Sequence, residues 1–481
     1  MISIEEYLFQ NAQKFPDKVA LISEQTQVTY GQLWERSLKA ASVLQSRLNL
    51  VCGGRVIVAA SATIEFVYAY FGIHLSGGIC VPIDPNTNQT RFNYIFESTS
   101  PTAVLGQLHK IEQQTLPLEI VSEEASAISY KAPDMENVAD ILFTTGTTGA
   151  PKGVALSYTN IAAAARNINA FIGNTESDIE ILALPVSHSF GLGRLKCTLV
   201  KGGSMVMLGT FANVKRFFDL IKRWNVSGFG MVPSSWSFIK KMSGKYLGKF
   251  SEQLKYIEIG SSFMPVEEKQ LLMELLPSTR ICMHYGSTEA SRSAFMEFHE
   301  CKNNLLTAGK ASPYCSIKVF SPEGKELPYG SQGEICVKGE HVTCSYWNES
   351  VERFQSDFYG DYFRTGDGGT QDENGYIYLK SRLKEIINVG GKKVSPIEVE
   401  QILNTVPGIY ESACVGVSDP NGMLGEVVKA FIVADEGVTD QQILDCVRPK
   451  LELYKLPVLF ERIAEIPKTS SGKIQRLSLK K

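Results

Sequence analysis

The segment FTTGTTGAPKGV, from Phe143 to Val154, contains the residue types best suited to holding phosphate groups. Ile141-Leu142-Phe143 predicts a short apolar strand, and the loop that follows contains Thr144, Thr145, Gly146, Thr147, Thr148 and Lys152. Glycine lets backbone amides come close to an anion, hydroxyl groups donate hydrogen bonds, and a lysine adds positive charge. The loop differs from a Walker A loop because Pro151 precedes Lys152, where that motif requires glycine. We therefore predict a phosphate-binding loop rather than a surface turn between two strands.

Further segments place glycine, charged and aromatic residues where a binding site could form. They lie at 188, 285–289, 333–339, 362–367, 382–400 and 467–476. In this order, and together with the threonine-rich loop, they resemble the signature segments of the adenylate-forming superfamily, which contains acyl-CoA and aryl-CoA synthetases, peptide-synthetase adenylation domains and beetle luciferases. The resemblance spans most of the chain. It implies an enzyme that uses ATP to activate a carboxylic acid as an acyl-adenylate and then transfers the acyl group to a thiol.

The segment Tyr285-Gly286-Ser287-Thr288-Glu289 resembles the YGxTE element of that superfamily. The resemblance implies that the Tyr285 ring packs on adenine, next to Gly286, and that Thr288 contacts the α-phosphate. It also implies that Glu289 holds Mg²⁺, with Thr288 and Glu289 both catalytic. One protein carboxylate is enough for this cation, because Mg²⁺ keeps several waters and bridges phosphates.

Two polar residues are implied to bind the ribose of the nucleotide. Asp367 ends the segment YFRTGD, which resembles the Y-x-TGD element, and its carboxylate would accept hydrogen bonds from both ribose hydroxyls. Arg382 matches an arginine that binds ribose and phosphate, although the superfamily usually has glycine where this chain has Ser381. Taken as isolated residues, Asp367 and Arg382 would be members of a surface ion pair.

Three motifs near the C-terminus are implied to act in a mobile domain. Lys384 matches the hinge about which a small C-terminal domain rotates between the two half-reactions. Gly390 and Gly391 resemble the loop that lines the thiol tunnel, where a phosphopantetheine arm must pass close to backbone. PKTSSGKI, at 467–474, resembles the P-[KR]-T-x-x-G-K loop. Its Lys473 would bridge the substrate carboxylate and the α-phosphate and stabilise the developing charge.

An acid pocket is implied beside His188. LPVSHSFGL, at 184–192, resembles the LPxxHxxG element, in which the histidine ring gates the carboxylate end of the pocket; a buried structural histidine is the alternative. The other predicted lining residues are small or apolar for the most part, and they are Met231, Val232, Pro233, Gly260, Ser261, Ser262 and residues 284–287. We expect Gly260, Ser261 and Ser262 to contact the bound adenylate as well.

The charge near this pocket restricts the acid. No acidic residue lies between Val186 and Leu195, which disfavours an α-amino acid because nothing there would pair with its ammonium group. Arg194 and Lys196 interrupt an otherwise apolar helical stretch. Either could meet a polar or second acidic group of the substrate, or extend to solvent. Fatty, aryl and short polyfunctional acids all stay open.

The acyl acceptor is also open. The thiol belongs to CoA in the leading interpretation, and to the phosphopantetheine arm of an acyl carrier protein in the alternative. A catalytically silent nucleotide-binding protein and a luciferase-like oxygenase are two further interpretations. The silent protein is disfavoured because Lys473, Glu289 and Asp367 are all present.

Alternating helix-like and strand-like patterns predict the elements that position these motifs. In the N-terminal part the predicted helices are 4–13, 30–48 and 65–76, and the predicted strands are 20–23, 56–60 and 79–82. This alternation is typical of αβ units around a mostly parallel sheet. Residues 324–377 predict a β-rich piece, followed by helices at 396–403 and 440–450 and strands at 413–417 and 428–433. We predict an α/β fold, with an ATP- and acid-binding domain at 1–381 and a mobile α+β domain at 382–481.

The bulk properties agree with an enzyme that has several domains. A chain of 481 residues exceeds the usual size of a single hydrophobic core. The net charge of −3 provides no basic field for a nucleic acid. No CxxC spacing is present for a zinc site. The sequence also shows no secretion signal and no apolar run long enough to span a membrane, so we expect a cytoplasmic location.

Overall fold

The computed structural model describes residues 1–108, 115–144, 151–382, 385–420, 424–469 and 472–480. The chain divides into two compact units. Unit 1 contains residues 1–305, 309–316 and 338–357, and unit 2 contains residues 306–308, 317–337 and 358–481. This division groups most of the predicted β-rich piece with the C-terminal residues, although residues 338–357 belong to unit 1. The predicted domain boundary at residue 382 stays a prediction. Within the described ranges no helix is both long and apolar enough to cross a membrane.

Helices and strands alternate for the most part up to residue 285, and strands predominate from there to residue 394. The strands are β1 Val19–Ile22, β2 Gln27–Thr29, β3 Arg55–Ala59, β4 Ile79–Ile83, β5 Ala103–Leu105, β6 Thr115–Leu116, β7 Val138–Phe143, β8 Gly153–Ser157, β9 Ile179–Leu182, β10 Ser204–Met207, β11 Gly228–Met231, β12 Tyr256–Ile259, β13 Arg280–Tyr285, β14 Ala294–Glu297, β15 Lys310–Ala311, β16 Ser316–Phe320, β17 Gly333–Lys338, β18 Ser345–Tyr346, β19 Phe358–Tyr359, β20 Tyr362–Gln371, β21 Ile377–Arg382, β22 Ile387–Val389, β23 Lys392–Val394, β24 Ile409–Ser418, β25 Glu426–Ala434 and β26 Leu459–Arg462. The α-helices are α1 Ile4–Lys14, α2 Tyr30–Leu48, α3 Ile64–Leu75, α4 Gln89–Thr99, α5 Tyr158–Ile172, α6 Ser189–Val200, α7 Val214–Trp224, α8 Pro233–Ser243, α9 Val266–Leu275, α10 Val351–Gln355, α11 Pro396–Leu403, α12 Asp440–Val447 and α13 Arg476–Leu479.

Unit 1 is built on two mixed sheets. Sheet I has the strand order β15-β14-β13-β12-β11-β9-β10-β1-β2, and its strands from β13 to β1 are parallel. Sheet II has the order β18-β8-β7-β4-β3-β5-β6, and its strands from β7 to β6 are parallel. Parallel strands need helical crossovers, which explains why helices separate them in the sequence. The predicted α/β class is confirmed.

Helices cover both faces of sheet I. On one face, α7, α8 and α9 contribute Phe217, Trp236 and Leu272 to a continuous apolar core. On the other face, α5 and α6 contribute Ala165 and Cys197, which pack against residues of β12 and β13. Burial on both faces is what a parallel sheet requires, and it leaves the strand ends as the accessible positions.

The carboxyl ends of the sheet I strands carry several predicted site residues. His188 lies on the connection that follows β9, and Gly260 follows β12 directly. Tyr285 is the last residue of β13, which is parallel to β12. Parallel strands end at the same edge of a sheet, and ligands of open α/β sheets bind at that edge. The topology therefore places the predicted acid pocket and the YGSTE segment along one edge.

The described residues of unit 2 form three smaller sheets. One has the order β16-β17-β20-β19 with β21 paired to β20, the second pairs β22 with β23, and the third has the order β24-β25-β26. Helices α11 and α12 close the third sheet through an apolar core that includes Val399, Leu403, Ile443 and Val447. The helix predicted at 396–403 is confirmed residue for residue.

Candidate active site

The base of the threonine-rich loop is a closed hairpin. Strands β7 and β8 are antiparallel, with Phe143 opposite Gly153. The backbone N–H of Thr144 donates to the carbonyl of Lys152 at 2.9 Å. Arg91 on α4 reinforces the same corner, since its Nη2 donates to the carbonyl of Phe143 at 3.0 Å. The predicted residues Thr145, Gly146, Thr147 and Thr148 lie outside the described residues.

Lys152 is held by the segment that contains β18. Its Nζ lies 3.0 Å from Oε1 of Glu349 and 4.2 Å from the centre of the Tyr346 ring. These contacts hold Lys152 against the segment that contains β18. They favour a role for Lys152 in holding the phosphate loop over a direct role at the reacting atoms.

Glu289 is anchored by the same segment. The hydroxyl of Tyr346 donates to Oε1 of Glu289 at 3.1 Å, and the N–H of Thr343 donates to the Glu289 carbonyl at 2.7 Å. Burial and the adjacent carboxylate raise the pKa of Tyr346, so its phenol stays protonated and donates. Strand β18 pairs with β8, with Tyr346 opposite Val154. One short strand therefore joins the phosphate loop to the predicted metal carboxylate.

Tyr346 lies outside the motifs that predict site residues from the sequence. Its position in Ser345-Tyr346-Trp347 lies between the predicted motifs and follows none of their patterns. The contact depends on the pairing of β18 with β8, which connects residues far apart in the chain. No local signal in the sequence would have indicated it.

Thr288 and Glu289 lie in a tight turn after β13. The N–H of Ser287 donates to the carbonyl of Ala290 at 3.1 Å, and the N–H of Ala290 donates to Oγ of Ser287 at 3.2 Å. This turn follows β13 directly. It therefore places the two predicted catalytic residues beyond the end of the strand, next to Tyr285 and Gly286.

Gly260 allows close contact between two parts of the predicted acid pocket. A Cβ atom at this position would lie 2.1 Å from the ring of His284, so only glycine fits there. Ser261 follows in the left-handed region, at φ 75°, and Ser262 is partly buried. His188 is the N-cap residue of α6 and is partly buried, with no side-chain hydrogen bond to the helix terminus. Its gating role stays a prediction.

Arg194 does not reach solvent. It is fully buried, and its guanidinium binds Glu180 on β9 and Glu258 on β12. Its Nε donates to Oε1 of Glu180 at 2.7 Å, and its Nη1 donates to Oε2 of Glu258 at 3.1 Å. Tyr256 donates to the same Glu180 carboxylate at 2.7 Å. Extension to solvent, one of the two alternatives, is wrong for Arg194 because its acidic partners come from strands distant in the sequence.

Lys196 is buried in a second network, on the side of α6 that faces sheet II. Its Nζ lies 2.7 Å from Oδ2 of Asp140, the β7 residue that precedes Ile141-Leu142-Phe143. Tyr70 donates to Asp140 at 3.0 Å, and Nε2 of His74 lies 3.1 Å from the same carboxylate. Burial alone would lower the pKa of His74, but hydrogen bonds to Asp140 and Glu5 raise it to about 9. Lys196 is thus an internal ion-pair member.

Asp367 and Arg382 lie together in unit 2. They are opposite each other across β20 and β21, and Nε of Arg382 lies 2.9 Å from Oδ1 of Asp367. Nη1 of Arg382 also donates to the carbonyl of Thr365 at 3.2 Å. The ion pair considered as the alternative is therefore present, and it orients the two side chains that are predicted to bind ribose.

The glycines at 390 and 391 form the turn between β22 and β23. Both have positive φ, 57° and 82°, which is the requirement of a two-residue hairpin turn. Glycine at both positions is thus explained by the turn itself. Lys384, the predicted hinge, lies outside the described residues.

Lys473 is exposed in a turn of unit 2. Its N–H donates to Oγ1 of Thr469 at 3.1 Å, and its carbonyl accepts from the N–H of Thr469 at 2.8 Å. The bridge between Lys468 and Ile474 closes the same turn. Two hydrogen bonds of the Lys473 backbone thus hold this residue against Thr469.

A family model described as AMP-binding enzyme matches residues 8–347, and a model described as AMP-binding enzyme C-terminal domain matches residues 398–473. The chain belongs to the AMP-binding enzyme family. The resemblance to the adenylate-forming superfamily is confirmed.

Relatives in this family match almost the whole chain. An oxalate–CoA ligase from Arabidopsis thaliana is 29% identical, over 97% of this chain and 95% of its own length. A fatty acid–[acyl-carrier-protein] ligase, ScoC, from Streptomyces coeruleorubidus is 28% identical, over 98% and 94% of the two chains.

A solved structure agrees closely with the fold. The o-succinylbenzoate CoA synthetase of Bacillus subtilis, in complex with its acyl-adenylate intermediate, superposes with a TM-score of 0.90. It is 27% identical and covers 99% of this chain and 98% of its own. The same synthetase has been solved with ATP and a magnesium ion. The family and these relatives identify the chain as an AMP-forming acid–thiol ligase, with the predicted large N-terminal and small C-terminal parts.

Proposed function

We propose that this enzyme converts a small carboxylic acid and MgATP to an acyl-adenylate and pyrophosphate, and then transfers the acyl group to the thiol of CoA. The observation that carries the proposal is the linkage made by Tyr346. Its ring faces Lys152 of the phosphate loop, and its hydroxyl binds Glu289. Phosphate-binding and metal-binding groups are thereby held on one support, as MgATP requires.

The residues around Glu289 fit a magnesium ion. The carboxylate is partly buried and accepts a hydrogen bond from Tyr346, which orients it. Mg²⁺ prefers oxygen ligands and needs few of them from the protein when phosphates supply the rest. Glu289 would hold the ion, and the ion would neutralise charge on the phosphates of ATP.

The roles of the other residues follow the chemistry of adenylation. Tyr285 supports adenine, Asp367 and Arg382 bind ribose, and the loop from Thr144 to Lys152 grips the phosphates that leave as pyrophosphate. A carboxylate oxygen of the acid attacks the α-phosphorus while the bond to pyrophosphate breaks. The nucleophile and leaving group are both anionic, so the positive charge of Lys473 stabilises the transition state by electrostatics.

In the second half-reaction the thiol attacks the acyl carbon and AMP leaves. CoA is the first candidate because the oxalate and o-succinylbenzoate enzymes are named as CoA ligases. A carrier protein is the second candidate, favoured by the similarity to ScoC. Rotation of the C-terminal residues about Lys384 between the half-reactions belongs to the same proposal. Adding CoA or a phosphopantetheine-bearing carrier to preformed acyl-adenylate distinguishes the acceptors by which one releases AMP.

Pyrophosphate release tests the first half-reaction. The purified enzyme receives ATP, Mg²⁺ and one acid at a time from a broad panel, and pyrophosphate and AMP are quantified. We expect acid-dependent release of the two products in equal amounts when the acceptor thiol is present. Release of ADP in place of AMP, or no pyrophosphate with any acid, contradicts the proposal.

Tyr346→Phe should weaken the use of MgATP and leave the fold intact. The substitution keeps the ring beside Lys152 and removes only the hydroxyl that binds Glu289. A hydrogen bond to a charged group contributes about 1.5–3 kcal/mol, so kcat/KM for ATP should fall by at least about tenfold. Initial rates of pyrophosphate release at varied ATP and Mg²⁺ measure the change.

Tyr359→Phe is the matched control for this substitution. It removes an exposed tyrosine hydroxyl that donates to the carbonyl of Pro322 at 3.1 Å, away from the predicted contacts. This variant should retain wild-type kinetics. Equal values of kcat/KM for ATP in the two variants would show that the Tyr346 hydroxyl has no part in the reaction.

A further inference from the structure

Arg476 lies at the end of the turn that carries Lys473. The N–H of Gln475 donates to the carbonyl of Pro467 at 2.8 Å, so the two ends of this turn lie against each other. The next residue, Arg476, begins α13. It is only three positions from Lys473 in the sequence. Contacts that hold Arg476 in place therefore also hold one end of the turn.

Two carboxylates bind the Arg476 guanidinium. Nη2 donates to both oxygens of Glu400 on α11, at 2.7 and 2.6 Å. Nη1 lies 3.2 Å from Oε2 of Glu385. The side chains of Arg476, Glu400 and Glu385 are only 13%, 9% and 15% exposed. Ion pairs shielded from water are screened little by salt, and the planar guanidinium can hold two carboxylates in fixed directions. Arg476 therefore has one defined position in unit 2.

Glu400 is itself fixed by the fold of unit 2. Its neighbours Val399 and Leu403 on α11 belong to the apolar core that closes the third sheet. The N–H of Cys414 on β24 donates to Oε1 of Glu400 at 2.6 Å. The carboxylate therefore transmits the position of a packed helix and a central strand to the guanidinium that it binds.

Glu385 connects Arg476 to a second place of predicted importance. It directly follows Lys384, the predicted hinge, in the sequence. The guanidinium thus joins the first residues of the part that is predicted to rotate to the turn that carries Lys473. Since the Lys473 side chain is long and exposed, the point that its ammonium group reaches depends on how firmly its backbone is held.

We propose that Arg476 is a positioning residue for Lys473, and that its contacts with Glu400 and Glu385 hold the turn at 467–475 where Lys473 can act on the α-phosphate. The inference rests on the proposed function and assigns Arg476 to the adenylation half-reaction. Electrostatic stabilisation of a transition state depends on preorganised charge, and a misplacement of about 1 Å can cost about 100-fold in rate. Loss of the anchor should therefore slow adenylation by displacing Lys473.

Arg476→Met tests the assignment to one half-reaction. Burial raises the pKa of Glu400 to about 7, although Arg476 opposes this shift. Without Arg476 the carboxyl group takes up a proton more readily, so the variant avoids much of the cost of a buried unpaired charge. We expect acid-dependent pyrophosphate release to fall by about 10- to 100-fold, while transfer from preformed acyl-adenylate to the thiol is nearly unchanged. Equal losses in the two half-reactions would overturn the inference.

The double variant Arg476→Met/Lys473→Ala gives a readout that a purely structural role would not produce. If Arg476 acts through Lys473, the double variant should release pyrophosphate at the rate of Lys473→Ala alone, because no ammonium group is left to position. If the two losses multiply, Arg476 acts independently of Lys473 and the inference is wrong. Circular dichroism and thermal unfolding of each variant accompany the rate measurements.

Arg476→Lys decides the question if Arg476→Met does not fold. Lysine keeps a positive charge beside Glu400, but a single ammonium group lacks the planar fork that holds two carboxylates. Adenylation should still fall, and this loss should disappear in the Lys473→Ala background. A wild-type rate of adenylation in Arg476→Lys would in that case overturn the inference.

Arg462→Met is the matched control in unit 2. Nη2 of Arg462 is 2.7 Å from Oδ1 of Asp440 in an exposed ion pair, so this substitution should leave both half-reactions at wild-type rates. A loss of adenylation equal to that of Arg476→Met would contradict a specific role for Arg476. No pyrophosphate release by the wild-type enzyme with any acid is a separate result, which contradicts the proposed function itself.

Discussion

Lys473→Ala is expected to reduce acid-dependent pyrophosphate release by about 100- to 1,000-fold, the range seen when one preorganised stabiliser of transition-state charge is removed. The side chain is exposed, and the turn that carries it is held by backbone contacts with Thr469. The variant should therefore keep the wild-type unfolding temperature. Transfer from preformed acyl-adenylate to the thiol should be nearly unaffected, because Lys473 is assigned to the α-phosphate step alone. Rapid-quench assays of the two half-reactions measure both rates.

Lys468→Ala is the control for that variant. Lys468 lies in the same turn, but its Nζ is 2.6 Å from Oε1 of Glu411, so it has a partner within unit 2. Its removal should leave adenylation close to wild type. If Lys473→Ala retains adenylation, or loses both half-reactions equally, its proposed role is wrong.

Arg194→Met should cost about 3–5 kcal/mol of the free energy of unfolding of unit 1. The substitution keeps a side chain of similar volume but leaves the buried carboxylates of Glu180 and Glu258 short of one cation. Although burial would raise it, the three cationic or polar neighbours Arg292, His284 and Arg194 hold the pKa of Glu258 well below its usual range. The Glu258 carboxylate is therefore ionised in the wild-type enzyme, and the variant removes one of its cationic partners. Chemical denaturation followed by circular dichroism and tryptophan fluorescence measures the loss.

Two further variants test whether this loss of unfolding free energy comes from the buried ion pairs of Arg194. Arg216→Met removes a surface ion pair, in which Nη2 of Arg216 is 2.8 Å from Glu24, and should cost less than about 1 kcal/mol. Adding Glu180→Gln to Arg194→Met removes an unpaired charge, so the double variant should lose less than the sum of the single losses. A cost for Arg194→Met as small as that of Arg216→Met would contradict the assigned ion-pair network.

Much of the fold could be predicted from local patterns. The helix predicted at 30–48 is observed as Tyr30–Leu48, because its apolar repeat coincides with a capping box formed by Thr29 and Gln32. The strand before the phosphate loop and the helix at 396–403 were predicted for similar reasons. In each case the signal lies within one element, where periodicity and end residues act together.

The contacts that shape the site could not be predicted in the same way. Arg194 pairs with Glu258, and Tyr346 binds Glu289, across distances of 64 and 57 residues in the chain. Such pairs depend on which strands become neighbours in a sheet. The local periodicity of the sequence does not indicate this order of strands. No acidic residue lies between Val186 and Leu195 in the sequence, whereas the fold brings Glu180 of β9 and Glu258 of β12 to Arg194.

The ion pair between Asp140 and Lys196 has a consequence for how unit 1 unfolds. Asp140 belongs to sheet II and lies on the strand that leads into the phosphate loop, whereas Lys196 belongs to the helix that His188 caps and that covers sheet I. If one sheet unfolded alone, the charge that stays on the other sheet would lose its ion-pair partner. We therefore expect the part of unit 1 that carries the phosphate loop and the part that carries His188 to unfold together.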